Sequence, residues 1–114
     1  MASEPAEFSI VTDGDAGLLL VSVRGELDLA TAPQLEAVLF PALERGGRVL
    51  VDLRELAFMD SSGVRAIVAA HMRANGDGAR FAVVRPEGGT EVWRIIEVSG
   101  LDAELRLLDD PESF

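Results

Sequence analysis

The sequence predicts a single α/β domain: a mixed, mostly parallel sheet with an N-terminal β-hairpin and helices as crossovers. Three observations predict it. Two apolar runs, residues 8–12 and 18–24, flank the turn-forming stretch Asp13-Gly14-Asp15-Ala16-Gly17, the pattern of an antiparallel hairpin. Beyond them, short apolar runs alternate with segments of helical period, giving the order β-β-α-β-α-β-α with right-handed crossovers between parallel neighbours. The chain has 114 residues, 48 % of them hydrophobic, which suits one modest core and is too short for two domains.

Each element has its own signal. Thr31 offers a helix cap, Pro33 falls in the first turn, and Gln34 stands three residues after the cap. Leu35, Val38, Leu39, Ala42 and Leu43 then form one helical face, interrupted late by Pro41 and stopped by Gly46-Gly47. Residues 48–53 read as a strand buried on both faces. A second helix opens near Asp60-Ser61-Ser62-Gly63, with a stripe of Val64, Ile67, Val68, His71 and Met72 and with Gly76 as its C′ residue. Residues 81–84 are the next strand. Thr90 caps a third helix with Val92, Ile95 and Ile96 inward, ended by Gly100 with Leu101 as an apolar partner beyond it. Residues 104–108 are too short to assign. The core spans about residues 8–108, and both termini, including the tail 109–114, are expected to fray.

Composition excludes several chemistries. There is no cysteine and no tyrosine, all ten basic residues are arginine, and His71 is the sole histidine. A disulfide framework, a thiolate zinc site, a cysteine nucleophile and Schiff-base chemistry are therefore excluded. The net charge of −10 opposes nucleic acid and acidic membrane surfaces as partners. The start of the chain is acidic rather than signal-like, and no apolar run approaches a membrane span, so a soluble cytoplasmic protein is expected. No cofactor or metal is implied.

Function in open α/β sheets gathers beyond the carboxyl ends of strands. Two segments qualify, Gly25-Glu26-Leu27-Asp28 and Phe58-Met59-Asp60-Ser61-Ser62-Gly63, and the topology puts both at one end of the sheet. With Asp60 as N-cap, Ser61 and Ser62 occupy the first helical positions, and Met59 with Val64 forms a hydrophobic staple. A phosphate on Ser61 would meet free first-turn N–H groups and the positive end of the helix dipole. Asp60 opposes it as a like charge, or orients the hydroxyl before modification. The same residues are also an ordinary helix start, and spacing alone favours that plainer reading. The segment 25–28 has an equally plain reading as a strand-to-helix connection. His71 is a packing or boundary residue, and Trp93 a partly exposed aromatic. A serine hydrolase is disfavoured: His71 lies ~15 Å along the helix from Ser61, and an adjacent aspartate is no triad. The chain is not expected to be an enzyme.

Taken together, Gly25-Glu26-Leu27-Asp28, the helix from Thr31, the strand Val49-Leu50-Val51-Asp52-Leu53, the segment Phe58-Met59-Asp60-Ser61-Ser62-Gly63-Val64 and Val98-Ser99-Gly100-Leu101 resemble a STAS domain. More narrowly, they resemble a bacterial anti-sigma factor antagonist, over nearly the whole chain. The resemblance implies a partner switch of the kind used in stress response and sporulation. The unmodified protein binds an anti-sigma factor that is a GHKL-type serine kinase, phosphorylation of Ser61 releases it, and a serine phosphatase resets it. It implies that Asp60 helps place Ser61, that Ser62 and Gly63 shape the helix start, and that Gly25, Glu26 and Asp28 border the contact surface. Arg65 stands where close relatives often carry a second glycine. It can neutralise part of a phosphate, pair with a partner, or obstruct docking. A monomer is the simplest expectation. The alternative within the fold is a non-phosphorylated STAS adaptor subunit of a transport or signalling complex, in which Ser61 is only a helix-start residue.

Overall fold

The structure, a computed structural model, describes residues 7–15 and 17–114. Strand β1 (Ser9–Asp15) pairs antiparallel with the ten-residue β2 (Leu18–Leu27), as the hairpin pattern predicts. Helix α1 (Ala32–Glu44) crosses to β3 (Arg48–Asp52), which runs parallel to the first half of β2. A second short strand, β4 (Leu56–Met59), then runs parallel to the other half of β2. Helix α2 (Ser61–Arg73) leads to β5 (Phe81–Val84), and α3 (Glu91–Val98) and α4 (Leu101–Glu104) lead to β6 (Leu107–Leu108). The sheet order is β1-β2-β3-β5-β6, with β4 on β2 beyond the end of β3.

Strand alternation divides the apolar side chains between two faces. Val21, Val23 and Leu27 of β2, Val49 and Val51 of β3, and Phe81 and Val83 of β5 share one core with α1, α2, α3 and α4. Leu50, Ala82 and Val84 point the other way and pack with Leu20, Leu108 and Phe114. The helices therefore cover one face only. The strand buried on both sides is as the sequence predicts for Leu50 and its neighbours, but the second cover is the C-terminal tail rather than a helix.

That tail, expected to fray, carries local structure. Residues Pro111–Ser113 form a 3-10 turn, with Asp110 accepting from the Ser113 N–H at 3.0 Å and the Ser113 hydroxyl at 2.8 Å. The corresponding expectation for residues 1–6 lies outside the described residues.

The other differences are local. Leu56–Met59 is a strand the periodicity does not reveal, because only its two end residues are buried. Thr31 occupies the N-cap position of α1 without capping it; its hydroxyl donates to the Glu26 carbonyl at 2.8 Å instead. Helix α1 passes through the exposed Pro41 to Glu44 and ends in a Schellman turn at Gly46 (φ 83°) and Gly47, whose N–H donates to the Ala42 carbonyl at 3.0 Å. On α2 the buried stripe is Gly63, Ala66, Ile67 and Ala70; His71 is half-buried and Met72 is 68 % exposed. The left-handed C′ residue there is Asn75 (φ 57°), with Gly76 following it. The third helix matches its prediction: Thr90 caps it through the Trp93 N–H, Val92 and Ile96 are buried, and Gly100 at φ 80° ends it ahead of buried Leu101.

Candidate functional site

The two predicted segments do meet. Leu27 pairs with Met59, and the Asp60 N–H donates to the Leu27 carbonyl at 3.2 Å. The ends of β2 and β4, and the starts of α1 and α2, thus form one surface.

Gly25, Glu26 and Leu27 belong to β2 rather than to a loop, and Asp28 alone follows it. Gly25 is buried, with φ 87°, where the β2–β4 register shifts. A side chain at that angle would be strained, so glycine permits the bulge. Glu26 is exposed and stands opposite Phe58, which is 37 % exposed. Asp28 organises the turn into α1. Its Oδ1 accepts from the Ala30 N–H at 3.0 Å and the Thr31 N–H at 3.1 Å, and its carbonyl accepts from the Ala32 N–H at 2.8 Å. At the apex of that turn Leu29 is 75 % exposed. Sequence reasoning passed over Leu29; the signal was a leucine between Asp28 and Ala30 where a turn calls for a polar residue.

On the other side, Asp60 caps α2 by accepting from the Ser62 N–H at 2.8 Å and the Gly63 N–H at 3.4 Å. Its carboxylate grips the backbone, not the Ser61 hydroxyl, so it fixes Ser61 by fixing the first turn. Ser61 is exposed, and its hydroxyl takes part in no hydrogen bond among the described residues. The first-turn N–H groups expected to be free for a phosphate are in part already taken by Asp60. A dianion on Ser61 would therefore gain less from the helix end than the sequence suggested, and would confront a neighbouring carboxylate.

Gly63 is held by packing. A Cβ there would lie 2.6 Å from Met59 Cγ and 2.9 Å from Leu27 Cγ, so only glycine lets α2 settle onto the two strand ends. Arg65, exposed one turn on, donates to Ser62 Oγ at 3.4 Å. A shallow groove of about 150 Å³ runs between the helix starts, lined by Leu29, Ala32, Pro33, Glu36, Ser62 and Arg65. The predicted site residues thus gather at the ends of β2 and β4: Gly25 and Gly63 are buried, Ser61 and Arg65 are exposed at the start of α2, Asp28 is half-buried, and Glu26, alternating with the inward Leu27, points to the other face of the sheet.

His71 stands in the last turn of α2, far from Ser61, with its buried Nδ1 unpartnered. Trp93 is half-buried beneath the Arg85 guanidinium, 4.3 Å from the ring centre. Among the described residues no cluster of potential metal ligands occurs, and no helix is long and apolar enough to cross a membrane.

Comparisons with known proteins agree with this architecture. Residues 11–109 match the family model described as Mlab, STAS domain. The anti-sigma F factor antagonist of Paenibacillus polymyxa is 30 % identical over 96 residues, covering 82 % of this chain and 80 % of that protein. A crystal structure of an anti-sigma factor antagonist from Mycobacterium paratuberculosis is 27 % identical, with a TM-score of 0.82 over 98 % of this chain and 94 % of that one. The Bacillus cell fate determinant SpoIIAA in its phosphorylated form shares the fold, with a TM-score of 0.69 at 20 % identity, covering 92 % of this chain and 96 % of that one.

Proposed function

This chain belongs to the STAS domain family, and on that premise we propose that it is an anti-sigma factor antagonist whose docking face is switched by phosphorylation of Ser61. One observation carries the reading: an unengaged serine hydroxyl stands exposed at the first position of α2, on a face that also presents Leu29. The names of its relatives and the phosphorylated SpoIIAA structure support it.

The partner is an anti-sigma factor with GHKL-type serine kinase activity. Unmodified, the protein docks through Leu29, Asp28 and the start of α2, with Arg65 available to a partner carboxylate. The kinase moves the γ-phosphoryl group of ATP to Ser61 Oγ, the hydroxyl proton goes to a base of the kinase, and ADP leaves. The new charge of about −1.5 to −2 lies beside Asp60 in a surface that must desolvate to bind. Like-charge contacts across an interface cost several kcal/mol, and ~3–4 kcal/mol weakens binding a few hundred-fold. A phosphatase hydrolyses the ester and restores docking. The protein supplies the acceptor hydroxyl and the surface, not catalysis, and it acts as a cytoplasmic monomer.

The Asp60 carboxylate already holding the Ser62 and Gly63 N–H groups favours a second reading: a STAS adaptor that is never phosphorylated, in which Ser61 is only a helix-start residue. One experiment separates them. Wild type, Ser61→Ala and Ser61→Asp chains serve as baits in native lysate, and wild type is incubated with the captured kinase and ATP before intact-mass measurement. The switch requires capture of a kinase by wild type and Ser61→Ala, loss by Ser61→Asp, and one added phosphoryl group on wild type alone. An unmodified mass with equal capture by all three baits makes the protein an adaptor.

A further inference from the structure

The sheet face opposite the helices has an unusual cover. Leu50, Ala82 and Val84 are at most 1 % exposed, yet the non-sheet residue packed against them is Phe114 of the tail. Two arginines hold that ring. Arg48 lies 4.4 Å from its centre and donates Nε–H to the Ala79 carbonyl at 2.9 Å. Arg106 lies 5.5 Å from it and donates to the Gly78 carbonyl at 3.0 Å. Both guanidinium groups are therefore fixed by the 78–79 turn, whether or not a ring sits between them.

The tail is acidic ahead of its aromatic residue, reading Asp109-Asp110-Pro111-Glu112-Ser113-Phe114. The hydrogen bonds that Arg54 donates to Asp52 raise its pKa above the ordinary value, and Glu112 and Asp110 of the tail add to that. The arginines of the face thus complement the carboxylates and ring of the tail. Its attachment is nonetheless slight. Among the described residues, no backbone–backbone hydrogen bond joins residues 109–114 to the rest of the chain; those within the tail are Ser113 to Asp110 and Phe114 to Pro111. Among the described residues, the one side-chain bond to its backbone from outside the tail is Arg106 to the Ser113 carbonyl, at 3.4 Å. Beside it, sharing Arg54, a cavity of about 420 Å³ lined by Ser22, Val23, Asp52, Arg54 and Glu55 stays open, and Val11, opposite Ser22 on the same face, is 59 % exposed.

We infer that this second sheet face is a docking surface for an acidic peptide segment bearing an aromatic residue, and that residues 109–114 hold its place in cis. The surface is distinct from the Ser61 face and requires no modification there. A fixed cation pair around an apolar floor selects an aromatic side chain, and the flanking arginine selects carboxylates. The tethered tail competes at an effective concentration of about millimolar, so the face is closed to weak ligands and open to a partner that outbids it.

The test uses the full chain and a fluorescein-labelled, amidated peptide of the tail sequence, followed by anisotropy. Phe114→Ala should bind the peptide at least tenfold more tightly than wild type, and Arg48→Ala added to it should remove most of that gain. Asp110→Ala, which removes the Ser113 cap and one of the carboxylates acting on Arg54, is a second release variant should Phe114→Ala fold poorly. A peptide with alanine in place of phenylalanine should not bind. Equal binding by wild type and both release variants, no binding by either variant, or indifference to Arg48→Ala overturns the inference. So does a wild-type chain that elutes as a concentration-dependent dimer lost in Phe114→Ala, since the face would then serve a second copy.

Discussion

Replacing Gly63 by alanine asks whether α2 is seated on the strand ends. The added Cβ would lie 2.6 Å from Met59 Cγ, 2.9 Å from Leu27 Cγ and 3.0 Å from Leu27 Cδ2. Favourable carbon contacts are ~3.5–4.0 Å, so Met59 must retreat by roughly 1 Å. Neither neighbour can swing into water: Leu27 is 0 % exposed and Met59 3 %, and both stand on paired strands. Overpacking of this kind costs about 1–3 kcal/mol. Alanine's better helix propensity offsets at most ~1 kcal/mol of that. The expected net loss is about 1–2 kcal/mol, a fall in Tm of roughly 4–8 °C per kcal/mol for a chain near this size. Urea denaturation should show a lower midpoint at unchanged slope. A variant as stable as wild type, or more stable, would refute the packing, because that is how an unobstructed helical glycine behaves.

Three further outcomes follow from the same geometry. Asp60→Ala removes the cap on Ser62 and Gly63 and should cost ~1 kcal/mol in urea midpoint analysis. Leu29→Asp should leave the melting curve within ~0.5 kcal/mol of wild type, because the side chain is 75 % exposed, yet weaken capture of the partner at least tenfold in titration calorimetry. Gly25→Ala forces a side chain into φ 87° at a buried bulge and should destabilise by about 1 kcal/mol or more, read from the same denaturation curves.

Much of the site was legible because its signals are local. Asp60 before two serines and a glycine is an N-cap by chemistry alone, and the structure places its carboxylate on the expected first-turn N–H groups. The role of Gly63 was not legible in the same way. Its tight contact is with Leu27 and Met59, and which residues lie beneath it depends on the shifted β2–β4 register. Strand β4 itself escaped notice because Ala57 and Phe58 are both exposed, which breaks the two-residue alternation. Thr31 has the right type and spacing to cap α1, but its hydroxyl donates to the Glu26 carbonyl, and the Gln34 N–H it would have capped turns to the Thr31 carbonyl instead. The tail looked like solvated chain because its charges dominate its composition. What orders it is Phe114 together with Arg48 and Arg106, a pairing between residues remote in sequence.

Strand β2 carries a further consequence. One unbroken strand accepts β3 along its first half and β4 along its second, and the Asp60 N–H reaches its last carbonyl. Leu29 and Ser61 are thereby mounted on a common splint and cannot drift apart independently. A macromolecule arriving at that surface meets a template already set, so little conformational entropy is surrendered on contact and selectivity comes from shape as much as from charge.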